Sequence, residues 1–122
     1  MRKFTAAATL FVIAGFALAQ KQVPADQQVK FDPKRDAAKD IAAGIALAKK
    51  SNKRVLLDVG GEWCPWCHKL DKMFKEDKDV AKLLKSKYVL IKVNFSQENE
   101  NRAALDKYPK ITGYPHLFVM DK

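Results

Sequence analysis

The chain has 122 residues, 48% of them hydrophobic and 30% charged, with a formal net charge of +9. That length is enough for one small domain with one core and excludes two. The lysines are interleaved with Asp and Glu along helical stretches and do not alternate with aromatics, so the excess charge reads as a solvated surface and no nucleic-acid partner is expected. Attraction to acidic partners or anionic lipid is the alternative.

Arg2 and Lys3 form a basic start, an apolar run from Phe4 through Leu18 follows, and Ala17-Leu18-Ala19 places small residues where a signal peptidase reads. A signal peptide over residues 1–19, cleaved after Ala19, is expected, and with it export. The run is shorter than the roughly 20 residues of a membrane-spanning helix, which argues against the alternative of an uncleaved anchor. Removing Arg2 and Lys3 from the formal charge of +9 leaves +7.

Residues 20–28 are polar, contain Pro24 and lack periodicity, which reads as a flexible lead-in to a domain over residues 29–122. Val29-Lys30-Phe31 has the composition of a short strand. Asp32-Pro33 offers an N-cap acceptor followed by a proline that suits the first helical position. Ala37, Ile41, Ile45 and Ala48 continue one apolar stripe to about Lys50, and Ser51-Asn52 ends it. Val55 to Val59, closed by Gly60-Gly61, reads as a strand buried on both faces, with Asp58 its one charge.

Leu70, Phe74, Val80, Leu83 and Leu84 then mark a long helix, interrupted near Asp77 and ending around Lys87. Tyr88 to Val93 makes a second buried strand. The polar stretch from Ser96 to Asn101 leads to a helix carrying Ala104, Leu105 and Tyr108, closed by Pro109. Leu117 to Met120 is a last strand, preceded by Gly113-Tyr114-Pro115. Strands alternating with helices imply crossover connections and a largely parallel sheet.

The only two cysteines, Cys64 and Cys67, sit three apart. Exported domains use disulfides to staple long loops. A bond between these two closes a very small loop and stabilises little, so the pair is there for its reactivity. Cys64 falls at a helix N-terminus, facing unpaired backbone N–H groups. Thiols so placed have pKa values of roughly 3.5–7.5, against about 8.5 for a free cysteine. Cys64 is then the attacking thiol. Cys67, almost one turn later on the same face, is the shielded resolving thiol. Pro65 fits the first turn, and Trp66 places a large ring between the two.

From about Val55 to Met120 the chain resembles the thioredoxin superfamily. Trp63-Cys64-Pro65-Trp66-Cys67 is similar to that family's Trp-Cys-x-x-Cys site. Asp58, six residues before Cys64, matches its buried acid, which the resemblance implies exchanges a proton with the resolving cysteine. A carboxyl with no visible ion-pair partner in an apolar strand should also have a raised pKa and serve as general base. Lys92 matches a lysine that lies near that acid in many members. Gly113-Tyr114-Pro115 resembles the Gly-x-Pro before a late strand, which implies a cis Pro115 packed on the sulfurs and a Tyr114 backbone that pairs with an extended substrate segment.

The resemblance implies an α/β, thioredoxin-like fold with a mixed sheet flanked by helices. It also implies a thiol-disulfide oxidoreductase of exported protein substrates. Cys64, Cys67 and Asp58 would be catalytic, and Trp63, Pro65, Trp66, Tyr114 and Pro115 would contact substrate. His68 and Lys92 would modulate the site. Neither a metal nor a cofactor beyond the Cys64–Cys67 disulfide is implied. The partners would be cysteine-containing proteins and a thiol-disulfide electron donor or acceptor, for which a membrane-embedded protein is one candidate. The signal segment and the Cys-Pro-Trp-Cys-His string resemble exported proteins of bacterial disulfide-interchange systems, which implies the periplasm.

After the position of Met120 that family continues with another strand and a C-terminal helix, which this chain lacks. Either the sequence is incomplete, or a partner or the segment after Gln20 covers that face. Without cover, exposed apolar surface is expected between Leu117 and Met120.

Other readings use the same residues. Cys64-Pro65-Trp66-Cys67-His68 also satisfies the c-type haem attachment string, with His68 as iron ligand and Met120 or His116 opposite. Cys64, Cys67, His68 and His116 are a thin zinc set. A redox-inactive binding module is a third alternative. Asp58 as a partnered core acid, Lys92 as a strand-edge lysine, Pro115 as a trans turn proline, and Trp63 and Trp66 as core cover are the structural alternatives.

Overall fold

The computed structural model describes residues 22–122; the expected signal peptide over residues 1–19 lies outside the described residues. Strand β1 (Arg54–Gly60) is central, paired in parallel with β2 (Tyr88–Asn94) and antiparallel with β3 (His116–Met120). The sheet is therefore mixed, in the order β2-β1-β3, rather than largely parallel.

Alternate residues of β1 face opposite ways, so its continuous apolar run needs cover on both sides. Val55, Leu57 and Val59 join Val89, Ile91 and Val93 in the core on one face. Helix α1 (Ala37–Ser51) seals that face with Ala37, Ile41 and Ala48. Each fully buried Val, Leu or Ile contributes about 1.5–3 kcal/mol. Gly44 permits the close approach, since a Cβ there would sit 2.8 Å from Ile91 Cγ1. Asp58 and Gly60 point to the other face, toward α2 (Pro65–Glu76).

Helix α1 begins at Ala37, four residues after Pro33 rather than at it, because Asp36 is its cap and accepts from the Lys39 N–H at 3.2 Å. Asp32-Pro33 instead forms a turn in which Asp32 Oδ1 accepts from the Lys34 N–H at 2.9 Å. Asn52, in the left-handed conformation at φ 55°, closes the helix. The expected break near Asp77 is real. Its carboxylate accepts from the N–H groups of Asp79 and Val80 at 3.0 Å, ending α2 and starting α3 (Lys78–Lys87).

Val29–Phe31 is not a strand. Val29 is 72% exposed, and the Phe31 N–H donates at 2.8 Å to Glu62 Oε1 instead of to a sheet partner. The segment before it is anchored rather than loose. Ala25, in a short 3₁₀ turn (Ala25–Gln27), joins the core. Gln28 donates to Asp40 Oδ2 at 3.2 Å and to the Lys92 carbonyl at 3.4 Å. This segment packs on β2 and α1, away from β3.

The helix expected through Tyr108 is a single turn, α4 (Arg102–Leu105), with Ala104 and Leu105 buried. Tyr108 follows in a turn and packs on Phe118, ring centroids 5.2 Å apart. Along β3, Phe118 and Met120 pack on the core while Leu117 and Val119 are exposed.

Candidate active site

The site is built where β1 hands over to α2. The Gly60 carbonyl accepts from the Phe95 N–H at 2.7 Å, and the Gly61 carbonyl from the Cys64 N–H at 3.0 Å. These bonds fix the turn and deliver Cys64 as the N-cap of α2, with Pro65 first in the helix. Cys64 and Cys67 form a disulfide with Cα atoms 5.2 Å apart. Cys64 Sγ accepts from the Cys67 N–H at 3.2 Å. In the reduced state this bond and the helix dipole would favour a thiolate at Cys64.

Burial does not separate the two sulfurs, since Cys64 is 2% exposed and Cys67 0%. Phe31 and Tyr114 close over both. Their difference lies in position, with Cys64 at the helix end and Cys67 against Gly60, where a Cβ would overlap its sulfur.

Asp58 is fully buried and, although its own strand offers no ion partner, it has one on β2. Lys92, its register neighbour on β2, places Nζ 3.2 Å from Asp58 Oδ2. The same ammonium lies 2.6 Å from Asp71 Oδ1 on α2. Among the described residues Asp58 Oδ1 has no hydrogen-bond partner. Burial pushes the Asp58 carboxyl up, and Lys92 offsets only part of this. Burial also pushes Asp71 up, but hydrogen bonds from Lys92 and Lys75 outweigh it and hold that carboxyl below its ordinary value. Lys92 is a buried pairing residue, not a strand-edge lysine.

Trp63 donates its indole N–H to the Phe95 carbonyl at 2.7 Å. Tyr114 sits against both, 5.6 Å edge-on to Trp63 and 5.0 Å stacked on Phe95. The Tyr114–Pro115 peptide is cis. Trp63 and Trp66 are 55% and 64% exposed, so neither serves as core cover. Trp66 faces outward under Lys69 Nζ, 4.0 Å from its ring.

His68 is exposed, its Nε2 2.7 Å from the Glu62 carbonyl oxygen. His116 packs on Phe118, ring centroids 4.5 Å apart, on the α1 side of the sheet. The two histidines and the cysteines therefore do not converge. Sequence reasoning missed Phe31, Glu62 and Asp71. Only Asp71 carried a signal, standing four residues after Cys67 on the same helix face.

A mixed sheet whose central strand leads into a helix begun by a Cys-x-x-Cys disulfide, with a cis proline just before its antiparallel strand, defines a thioredoxin-like protein. The thioredoxin-like family model matches residues 36–122, and the chain belongs to that family. It is 40% identical over 60 residues to an uncharacterized protein of Caenorhabditis elegans, covering 49% of this chain and 8% of that protein. It is 32% identical over 76 residues to the thiol:disulfide interchange protein DsbD of Salmonella typhi, covering 62% of this chain and 13% of the relative. The chain thus spans only about a tenth of the length of these relatives. A disulphide isomerase from Xylella fastidiosa Temecula1 superposes with a TM-score of 0.68 at 24% identity, over 76% of this chain and 72% of that one, a likeness of fold.

Proposed function

We propose that the chain is a thiol-disulfide oxidoreductase that exchanges its Cys64–Cys67 pair with cysteines of exported proteins. The observation that carries this reading is the disulfide at the N-terminus of α2, with its first sulfur bonded to the Cys67 N–H. The Cys64 thiolate attacks a substrate disulfide, forming a mixed disulfide and releasing one substrate thiolate. Cys67 gives its proton to Asp58 and attacks Cys64, so the second substrate thiolate leaves and the Cys64–Cys67 bond forms. Two electrons pass from the dithiol to the substrate, and the reverse sequence oxidises one.

Trp63, Pro65, Trp66, Tyr114 and Pro115 form the rim a substrate would meet, with the Tyr114 backbone available for strand addition. His68 and Lys92 modulate the pair, which works without a further cofactor. That Cys64 and Cys67 bond each other while His68 engages Glu62 supports exchange over haem attachment. The likeness to thiol:disulfide interchange proteins supports protein partners and a periplasmic setting, and the basic start and apolar run up to Ala19 are the sequence feature that would direct export there.

The test is Cys67→Ser in the full-length protein, which should accumulate mixed disulfides through Cys64. Accumulation only with Cys64→Ser inverts the two roles. Failure of the wild-type pair to equilibrate with glutathione removes the oxidoreductase reading.

A further inference from the structure

Lys92 is one ammonium between two carboxylates, and it stands closer to the one farther from the core. Its Nζ is 2.6 Å from Asp71 and 3.2 Å from Asp58. The Phe31 ring covers it at 4.4 Å, so the cation has little choice of partner beyond these two. Lys75 braces Asp71 from the next turn of α2 at 3.0 Å. Asp71 and Lys92 also line a cleft of about 590 Å³ between the start of the described chain, α3 and β2. None of Trp63, Cys64 or Cys67 lines that cleft, so Asp71 meets water away from the disulfide rim.

We propose that Asp71 is a positioning residue of the exchange site. By holding Lys92, it withholds full neutralisation from Asp58 and so sets the pH at which Asp58 takes the Cys67 proton. The proposal rests on the oxidoreductase reading. Among the described residues the charged groups around Asp58 are few. Lys92 faces it from β2 and Asp71 from α2, with Lys75 behind Asp71. On β3 its register neighbour is Leu117. Asp40 of α1, which shares Gln28 with the Lys92 carbonyl, is neutralised by Arg35 at 2.6 Å.

Asp71→Asn removes the competing charge while keeping the side chain's shape. Lys92 then pairs with Asp58 alone, and a like charge near Asp58 disappears. Both changes favour ionised Asp58. In the reduced protein treated with an aromatic disulfide, the second release of aromatic thiol reports Cys67 attacking the Cys64 mixed disulfide. Its pH midpoint should fall by about one unit in Asp71→Asn. It should stay near wild type in Asp71→Glu, and Asp71→Asn should add nothing in an Asp58→Asn background.

Carbon NMR titration of the Asp58 carboxyl in the oxidised protein reads the same shift without any exchange. Asp71→Ser serves as a second neutral variant where Asn folds poorly. An unchanged Asp58 midpoint in the neutral variants overturns the proposal. Absence of the second release in wild type, with the NMR shift present, instead overturns the exchange reading and leaves the charge partition standing.

Discussion

The Phe31 ring lies 4.4 Å from the Lys92 ammonium and packs in the same buried cluster as Cys64 and Cys67. One side chain from ahead of α1 therefore roofs both the disulfide and the charge pair behind it. Phe31→Ala should cost about 3–5 kcal/mol, the range for deleting a buried ring. Phe31→Leu should retain most of that. Urea denaturation of the oxidised proteins checks both, and a loss under about 1 kcal/mol for alanine would show that the roof is not part of the core.

Two glycines near the site should respond in opposite ways to the same added methyl. At Gly60 it would overlap Cys67 Sγ and come within 3.2 Å of Phe31 Cζ, both held by packing. Gly60→Ala should cost about 1–3 kcal/mol and slow exchange by displacing the resolving sulfur. At Gly113 no atom of the described residues lies within 4 Å of the added carbon. Gly113→Ala should stay within about 0.5 kcal/mol of wild type. Equal losses at the two positions would contradict the seating of Cys67 against β1.

What the sequence disclosed follows from how local each cause is. The buried run of β1, the Asp77 break and the placing of Cys64 at a helix start depend on neighbours within a turn or two, and all were legible. The start of α1 was misread because Asp32 and Asp36 offer the same capping chemistry, and the choice between them turns on later contacts such as Arg35 with Asp40. Phe31 looked like strand because its burial comes from the disulfide and Lys92, not from pairing. The partner of Asp58 stands 34 residues away and the rival for that partner on a different element, so the charge partition appears only once β2 and α2 are in place.

Asp58 predicts a pH dependence of stability. Its folded pKa lies above the ordinary 3.8, so the native state holds that proton more tightly than the unfolded chain. Stability from this group is therefore greatest below pH 3.8 and falls as pH rises through the interval up to its folded value. Asp71 acts with the opposite sign, its lowered pKa giving stability above 3.8 that is lost as pH falls through its folded value. Asp58→Asn should thus be more stable than wild type at pH 8, by about 1–3 kcal/mol, the penalty range for a buried polar atom without a partner. The advantage should shrink toward pH 4. Urea midpoints at the two pH values test this, and an equal gap at both would show that the charge on Asp58 costs the fold nothing.

Asn101 ties the far side of the site together. Its Nδ2 donates to the Asn94 carbonyl at 2.7 Å, and its Oδ1 accepts from the Ala37 N–H at 3.2 Å. The end of β2 is thereby joined to the first turn of α1, in a residue whose φ of 47° favours Asn or Gly. Asn101→Ala loses both bonds and keeps a Cβ in the left-handed region, so it should cost about 2–4 kcal/mol. Asn101→Gly loses the same bonds without the backbone penalty and should be about 1 kcal/mol milder. Because Asn94 precedes Phe95, whose carbonyl holds Trp63, the alanine variant should also alter Trp63 fluorescence in the folded protein. Alanine and glycine variants of equal stability would mean that Asn101 acts through its side chain alone.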